Sequence, residues 1–217
     1  QAGEFGFTQR LIISTTDKWG KNAEAALDEQ TIPTSRLRFQ DLKDAPIDWN
    51  AFKLEQLDRL ERRPPKTLFP HQEVARQSVL SGFAEYDRGK LIMACGTGKT
   101  FVSLRTAEAQ VPAGGMLLFL APSISLVSQS LREWTAEADQ PLLAFVVCSD
   151  TKVGKDDEDI SIHDLAYPAT TDPHKLYRAI DTTRTALPNR RLVIFCTYQS
   201  ITVISAAQKL GLGPFDL

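Results

Sequence analysis

Along the first fifty positions apolar residues come in short bursts. Residues 10–15 hold Leu11, Ile12 and Ile13 in a run of strand length. Asp17 is placed to cap a helix over 20–27, and Pro33 closes that region. Leu37 and Phe39 then alternate with Arg36, Arg38 and Gln40, which predicts a half-exposed strand. Asp44-Ala45-Pro46 reads as a turn, with Ile47-Asp48-Trp49 packing back on the helix. A charged stretch runs to Arg63, and Pro64-Pro65 holds the chain extended. Beyond it the pattern changes. Residues 70–86 predict a helix with Val74, Val79, Leu80 and Phe83 as its apolar stripe and Pro70 in its first turn. Unbroken apolar runs follow at 91–94, 116–120, 142–148 and 192–196, separated by helical patterns at 99–109, 123–136 and 173–187, with another at 200–210. Strands that do not alternate, divided by helices, predict an α/β fold with a parallel sheet covered on both faces.

The expected organisation is an α/β segment over 1–52, a linker over 53–66 and a larger α/β unit over 67–217. About fifty residues is marginal for an independent core, so the first segment should lean on its neighbours. The chain opens at Gln1 and stops at Gly213-Pro214-Phe215-Asp216-Leu217, where an apolar strand is starting. The expectation is a piece of something longer.

Composition narrows the class. Of 217 residues 42% are hydrophobic and 24% charged, a globular balance. No apolar run approaches the roughly 20 residues that cross a bilayer, so no membrane partner is expected. Cys95, Cys148 and Cys196 are odd in number and far apart, which suits a reduced cytoplasmic chain better than a disulfide or zinc framework. A net charge of -2 gives no global basic field, so nucleic acid contacts must be local.

The sharpest chemistry is Cys95-Gly96-Thr97-Gly98-Lys99-Thr100 between a predicted strand and a predicted helix. Gly96 and Gly98 let backbone N–H groups turn inward as an anion nest, and the helix start adds its positive end. Lys99 supplies a charge for the β and γ phosphates of a nucleotide, and the Thr100 hydroxyl can ligate Mg²⁺. The first glycine of the full phosphate-loop pattern would fall at Met93, so the residues from 96 onward carry the reading. Cys95 reads as a small residue in a tight turn rather than a redox switch. A catalytic carboxylate is missing: Asp150 is either a lone magnesium-shell acid or the start of a loop, and Asp156 to Asp159 reads as solvated surface.

Phe69-Pro70-His71-Gln72, Met93 to Thr100, Leu120-Ala121-Pro122-Ser123 with Leu126 and Gln129, and Cys196-Thr197-Tyr198-Gln199-Ser200 resemble, in order, successive motifs of superfamily 2 helicases and translocases over about 66–217. The resemblance implies the front of a first RecA-like lobe that binds ATP and Mg²⁺ and moves on double-stranded DNA. It further implies that an Asp-Glu motif and a second RecA-like lobe lie downstream. It assigns adenine to Gln72, where a helix-start glutamine is the plain alternative. It assigns DNA phosphates to Ser123, Gln129, Thr197 and Ser200, where Ser123 also reads as a helix cap. Leu126, Val127, Leu131 and Trp134 fall at helical spacing and read as core. Residues 10–16, 18–23 and 41–49 are similar, more loosely, to the end of an Mrr-like nuclease domain in Type ISP restriction-modification enzymes. The nuclease acids would then lie upstream, and Lys18 and Lys21 read as solvated helix residues.

Two other readings stay open on the residues alone. One is a self-contained kinase or switch with Asp150 as its magnesium acid. The other is a non-enzymatic scaffold whose loop holds a structural phosphate.

Overall fold

Residues 192–197 read Leu-Val-Ile-Phe-Cys-Thr, with nothing charged to face water, and the structure buries all of them. It is a computed structural model and describes residues 10–16, 19, 20, 22, 23, 26, 34–55, 63, 64, 66–149 and 169–217. Its elements in chain order are β1 (Arg10–Ile13), β2 (Thr34–Leu37), α1 (Phe39–Asp44), α2 (Pro70–Glu85), α3 (Lys99–Gln110), β3 (Met116–Ala121), α4 (Ile124–Glu137), β4 (Leu143–Val147), α5 (Pro173–Ala186), β5 (Leu192–Thr197) and α6 (Ile201–Lys209), the last entered through a 3₁₀ turn at Tyr198–Ser200. β3, β5 and β4 form a parallel sheet with β5 in the middle. This is the RecA-like α/β arrangement of helices over a parallel sheet.

Side chains of β5 alternate between two cores. Val193 and Phe195 meet Phe101 and Leu104 of α3 and Leu131 and Trp134 of α4. Ile194 and Cys196 meet Leu176 and Ile180 of α5 and Ile204 of α6. Phe119, Trp134 and Phe195 pack as an aromatic trio with centroids 5.3–5.7 Å apart. Burial, with Cys148 adding to it, pushes the Cys196 thiol up to about 12, so it acts as a small core residue. On the other edge of β3, Leu118 N donates to Leu217 O (2.9 Å) and Asp216 N to Met116 O (2.8 Å). The last residues therefore run along that edge.

β1 and β2 pair in parallel as a separate two-stranded sheet. Alternation had extended the second strand to Phe39, but Phe39 starts α1 instead. The Asp41 carboxylate accepts from Arg38 N at 2.9 Å, and such a reach-back to the residue before a helix favours helix over strand. Trp49 meets Phe52 edge-on at 5.6 Å and stays 44% exposed. Half of the helix expected at 20–27 and all of the acidic stretch Asp156 to Asp159 lie outside the described residues.

Two expectations in the larger unit need correction. Residues 91–94 form no strand, and Ile92 is 90% exposed. Among the described residues no neighbour gives them a ladder, and a strand without one leaves its peptide groups to water. Val74, expected in the apolar stripe of α2, is exposed, and Gln72 is the one buried residue of that helix.

The segment before α2 is fastened to α4. Glu137 Oε2 accepts from Lys66 N (2.9 Å), and Oε1 pairs with Lys66 Nζ (3.0 Å). Arg63 N reaches Pro46 O (3.0 Å), and Arg132 of α4 pairs with Asp41 of α1 (3.2 Å). Arg105 of α3 adds bonds to Asp139 (2.6 Å) and to the carbonyls of Lys66 and Glu137. Burial raises the Glu137 carboxyl, but the two Lys66 bonds and the charges of Lys66 and Arg63 outweigh it and hold the group below 4.5. Glu133, one turn earlier, is shifted the other way by burial.

A group held low contributes stability fully above its unfolded value and loses it as pH falls through the folded one. Glu137→Gln should therefore lower stability by about 1–2 kcal/mol at neutral pH, as loss of a charge-assisted bond does. The gap to wild type should close as pH drops below 4.5. Thermal melts of both proteins across that range check it, and a gap that persists at low pH contradicts it.

Candidate nucleotide site

The turn at 94–98 is built on two left-handed glycines. Gly96 has φ +76° and Gly98 φ +80°, a region that other residues reach only with strain. Gly98 is the N-cap of α3, so the helix opens directly from the loop. Thr97 Oγ1 donates to Ala94 O (2.7 Å), and Lys99 Nζ donates to the same carbonyl (2.9 Å) and to Met93 O (3.4 Å). The lysine is exposed and spans the loop. Thr100, half-buried, stands in the first turn of α3. An oxygen there is a hard donor suited to Mg²⁺, an ion that takes few protein ligands and completes its shell with phosphate and water. The residues present thus fit both a phosphate chain and its magnesium. Among the described residues no group of three or more His, Cys, Asp or Glu side chains comes together as a metal cluster.

Gln72 has a different setting from a free adenine reader. It is 6% exposed, its Oε1 accepts from Phe69 N (2.9 Å), and its Nε2 donates to Thr97 O (3.0 Å). One N–H and one lone pair remain on the amide. A Cβ placed on Gly98 would lie 2.3 Å from Nε2, so the glycine leaves room for this strut as well as for its own φ. The expected role concerned a ligand; the bracing of the loop was not legible in the sequence.

The candidate DNA residues divide into two kinds. Ser123 caps α4, accepting from Leu126 N at 3.3 Å, and is exposed, as is Gln129. Thr197 and Ser200 are each 4% exposed, and Thr197 Oγ1 donates to Ser200 Oγ at 3.2 Å. The side chains that face outward at that strand end are Tyr198 and Gln199. Val127, Leu131 and Trp134 are core as expected, whereas Leu126 is 43% exposed. Cys95 is an exposed free thiol. Asp150 lies outside the described residues.

Missed by sequence reasoning is the bond from Trp134 Nε1 to Thr100 O, 3.1 Å, which ties α4 to the phosphate-loop helix. Nothing in the spacing of Trp134 separates a core indole from one that also donates. A cleft of about 590 Å³ lies elsewhere, with Leu68 and Ala109 in its wall beside the charged Lys66, Glu73, Arg76, Arg105, Glu108 and Asp139. Its charges are paired within the wall or with Glu137, so it holds no spare charge for a ligand.

A parallel sheet with a glycine loop opening a helix defines a phosphate-loop protein of the RecA-like kind, and the comparisons agree. Residues 65–217 match the family described as Type III restriction enzyme, res subunit, and the chain belongs to that family. Residues 1–59 match a family described as restriction endonuclease, of the Mrr catalytic type. Among solved structures, the ATP-dependent Type ISP restriction-modification enzyme LlaBIII bound to DNA is similar over 99% of this chain, at 37% identity and a TM-score of 0.82. A nuclease-deletion mutant of the Type ISP enzyme LlaGI with a DNA substrate mimic is similar over 69% of it, at 40% identity and a TM-score of 0.57. The chain spans 14% of the length of each. No curated protein matches it in sequence. No helix among the described residues is long and apolar enough to cross a membrane.

The loop geometry gives a graded expectation. Gly96→Ala, with open space around its Cβ, should cost about 1–2 kcal/mol for the left-handed backbone alone. Gly98→Ala should cost more, because its methyl also collides with Gln72 Nε2. Chemical denaturation of the two variants beside wild type reads the difference. Equal losses would mean that the Gln72 strut yields freely.

Proposed function

We propose that this chain is the ATP-binding front of a motor that translocates on double-stranded DNA or unwinds it, within a cytoplasmic restriction-modification enzyme of the Type ISP kind. In this reading 1–52 is the tail of a nuclease domain, 53–66 the linker and 67–217 the first part of the first RecA-like lobe. Nuclease sequence lies upstream and the second lobe downstream in one longer polypeptide. The observation that carries the reading is the loop at Gly96 and Gly98 opening α3, with Lys99 across its mouth. Its placement beside a parallel sheet and the family of 65–217 support it.

The residues divide the work as follows. Backbone N–H groups of Gly96 to Lys99 and the N-terminal end of α3 receive the phosphates. Lys99 moves from the carbonyls of Met93 and Ala94 to the β and γ oxygens, and Cys95 and Thr97 line the turn. Thr100 Oγ1 holds Mg²⁺, which when bound neutralises developing phosphate charge. Gln72 fixes the loop through Thr97 and offers its remaining N–H and lone pair to the base. Ser123 and Gln129 meet DNA phosphates from the start of α4, contacts that position without reading sequence. Thr197 and Ser200 hold the β5 end in shape so that the adjoining turn can approach the DNA backbone. The 217-residue chain alone is expected to turn over almost no ATP.

ATP hydrolysis by the natural full-length protein, with and without duplex DNA, tests this against Lys99→Ala. Duplex should stimulate turnover, and the variant should lose it by at least about 100-fold, the scale of removing a charge from a transferring phosphate. Hydrolysis indifferent to DNA would favour a switch or kinase. Nucleotide binding with no hydrolysis by the folded full-length protein would favour a scaffold.

A further inference from the structure

Trp134 is 3% exposed and wedged between Phe119 and Phe195, yet its one polar atom is not turned toward another core group. Nε1–H crosses from α4 to the carbonyl of Thr100, 3.1 Å away. That carbonyl also accepts from Ser103 Oγ at 2.7 Å. In a regular helix the amide four residues on claims the same oxygen. An indole this confined cannot follow a moving partner, so its position fixes where the first turn of α3 can lie. Thr100 carries its hydroxyl on the same residue, one Cα away from the pinned carbonyl.

We propose that Trp134 is a positioning residue for the magnesium-binding hydroxyl of Thr100, and that through it α4 registers the phosphate-loop helix. The proposal rests on the reading of that loop as a Mg²⁺-nucleotide site. The second observation that supports it is what else α4 holds. Its N-cap is Ser123, about 16 Å from Trp134 along the helix axis. Its Arg132 pairs with Asp41 of α1, and its Glu137 holds Lys66. A shift of α4 at its exposed start is thus delivered to Thr100 through one hydrogen bond on a stiff aromatic wedge.

The test uses the natural full-length protein and a non-hydrolysable ATP analogue, with binding measured by calorimetry in excess Mg²⁺ and again in EDTA. Trp134→Phe keeps a ring and removes the donor. It should leave affinity in EDTA unchanged and weaken binding in Mg²⁺ by about two- to tenfold, the range one neutral hydrogen bond supports. In a Thr100→Ala background the same substitution should add nothing. An equal loss in Mg²⁺ and EDTA would mark a core role only and overturn the proposal. Unchanged binding, or an additive loss in the Thr100→Ala background, would overturn it too. If Trp134→Phe does not fold, 3-benzothienylalanine at 134, the same shape with sulfur for N–H, carries the same comparison. Lys99→Ala binding as tightly as wild type would overturn the nucleotide reading itself, a result separate from any behaviour of Trp134.

Discussion

β5 has no face or edge that meets water. Its neighbours β3 and β4 satisfy its backbone, and two cores take its side chains in alternation. A buried parallel strand can exist only if helices cover both faces. That requirement sends the chain over and under the sheet between strands. It also gathers the turns after β3 and β5 at the carboxyl ends of their strands, where open α/β sheets bind ligands. Ser123, Tyr198 and Gln199 come from those turns.

Polar contacts then decide how firmly the phosphate loop is held to this frame. Gln72 braces Thr97 from α2, and Trp134 braces Thr100 from α4. Both donors are buried, and an unpaired buried donor is costly, so each contact resists loss. Arg105 and Glu137 continue the same surface toward Lys66, which ties α3 and α4 to the chain that precedes α2. Ahead of the loop, Leu91 and Ile92 stay exposed, at 39% and 90%.

The helices α3 to α6 and the strands of the larger sheet were readable because each local signal agreed with the fold. Asp172 caps α5, Ser123 caps α4, β3 and β4 are apolar throughout, and β5 is apolar up to its last residue, Thr197. Phe39 was misread because period-two alternation over a few residues is weaker than one carboxylate that nucleates a turn. Val74 was misread because a stripe on a helix predicts a partner, and Val74 faces solvent while Gln72 is the buried residue of α2. The run at 91–94 was misread for a related reason: β character becomes a strand only beside another strand.

The sequence by itself determined the phosphate loop, since glycines at 96 and 98 and the Lys-Thr after them permit few other uses at a helix start. It also determined the α/β class, through apolar runs that only a two-sided sheet can bury. Tertiary structure alone decided which polar groups are free to act. Thr197 and Ser200 turned inward to each other, Gln72 became a strut, and Trp134 acquired a partner 34 residues away. Residue type fixes what a side chain can bond, but only the packed neighbours fix what lies within its reach.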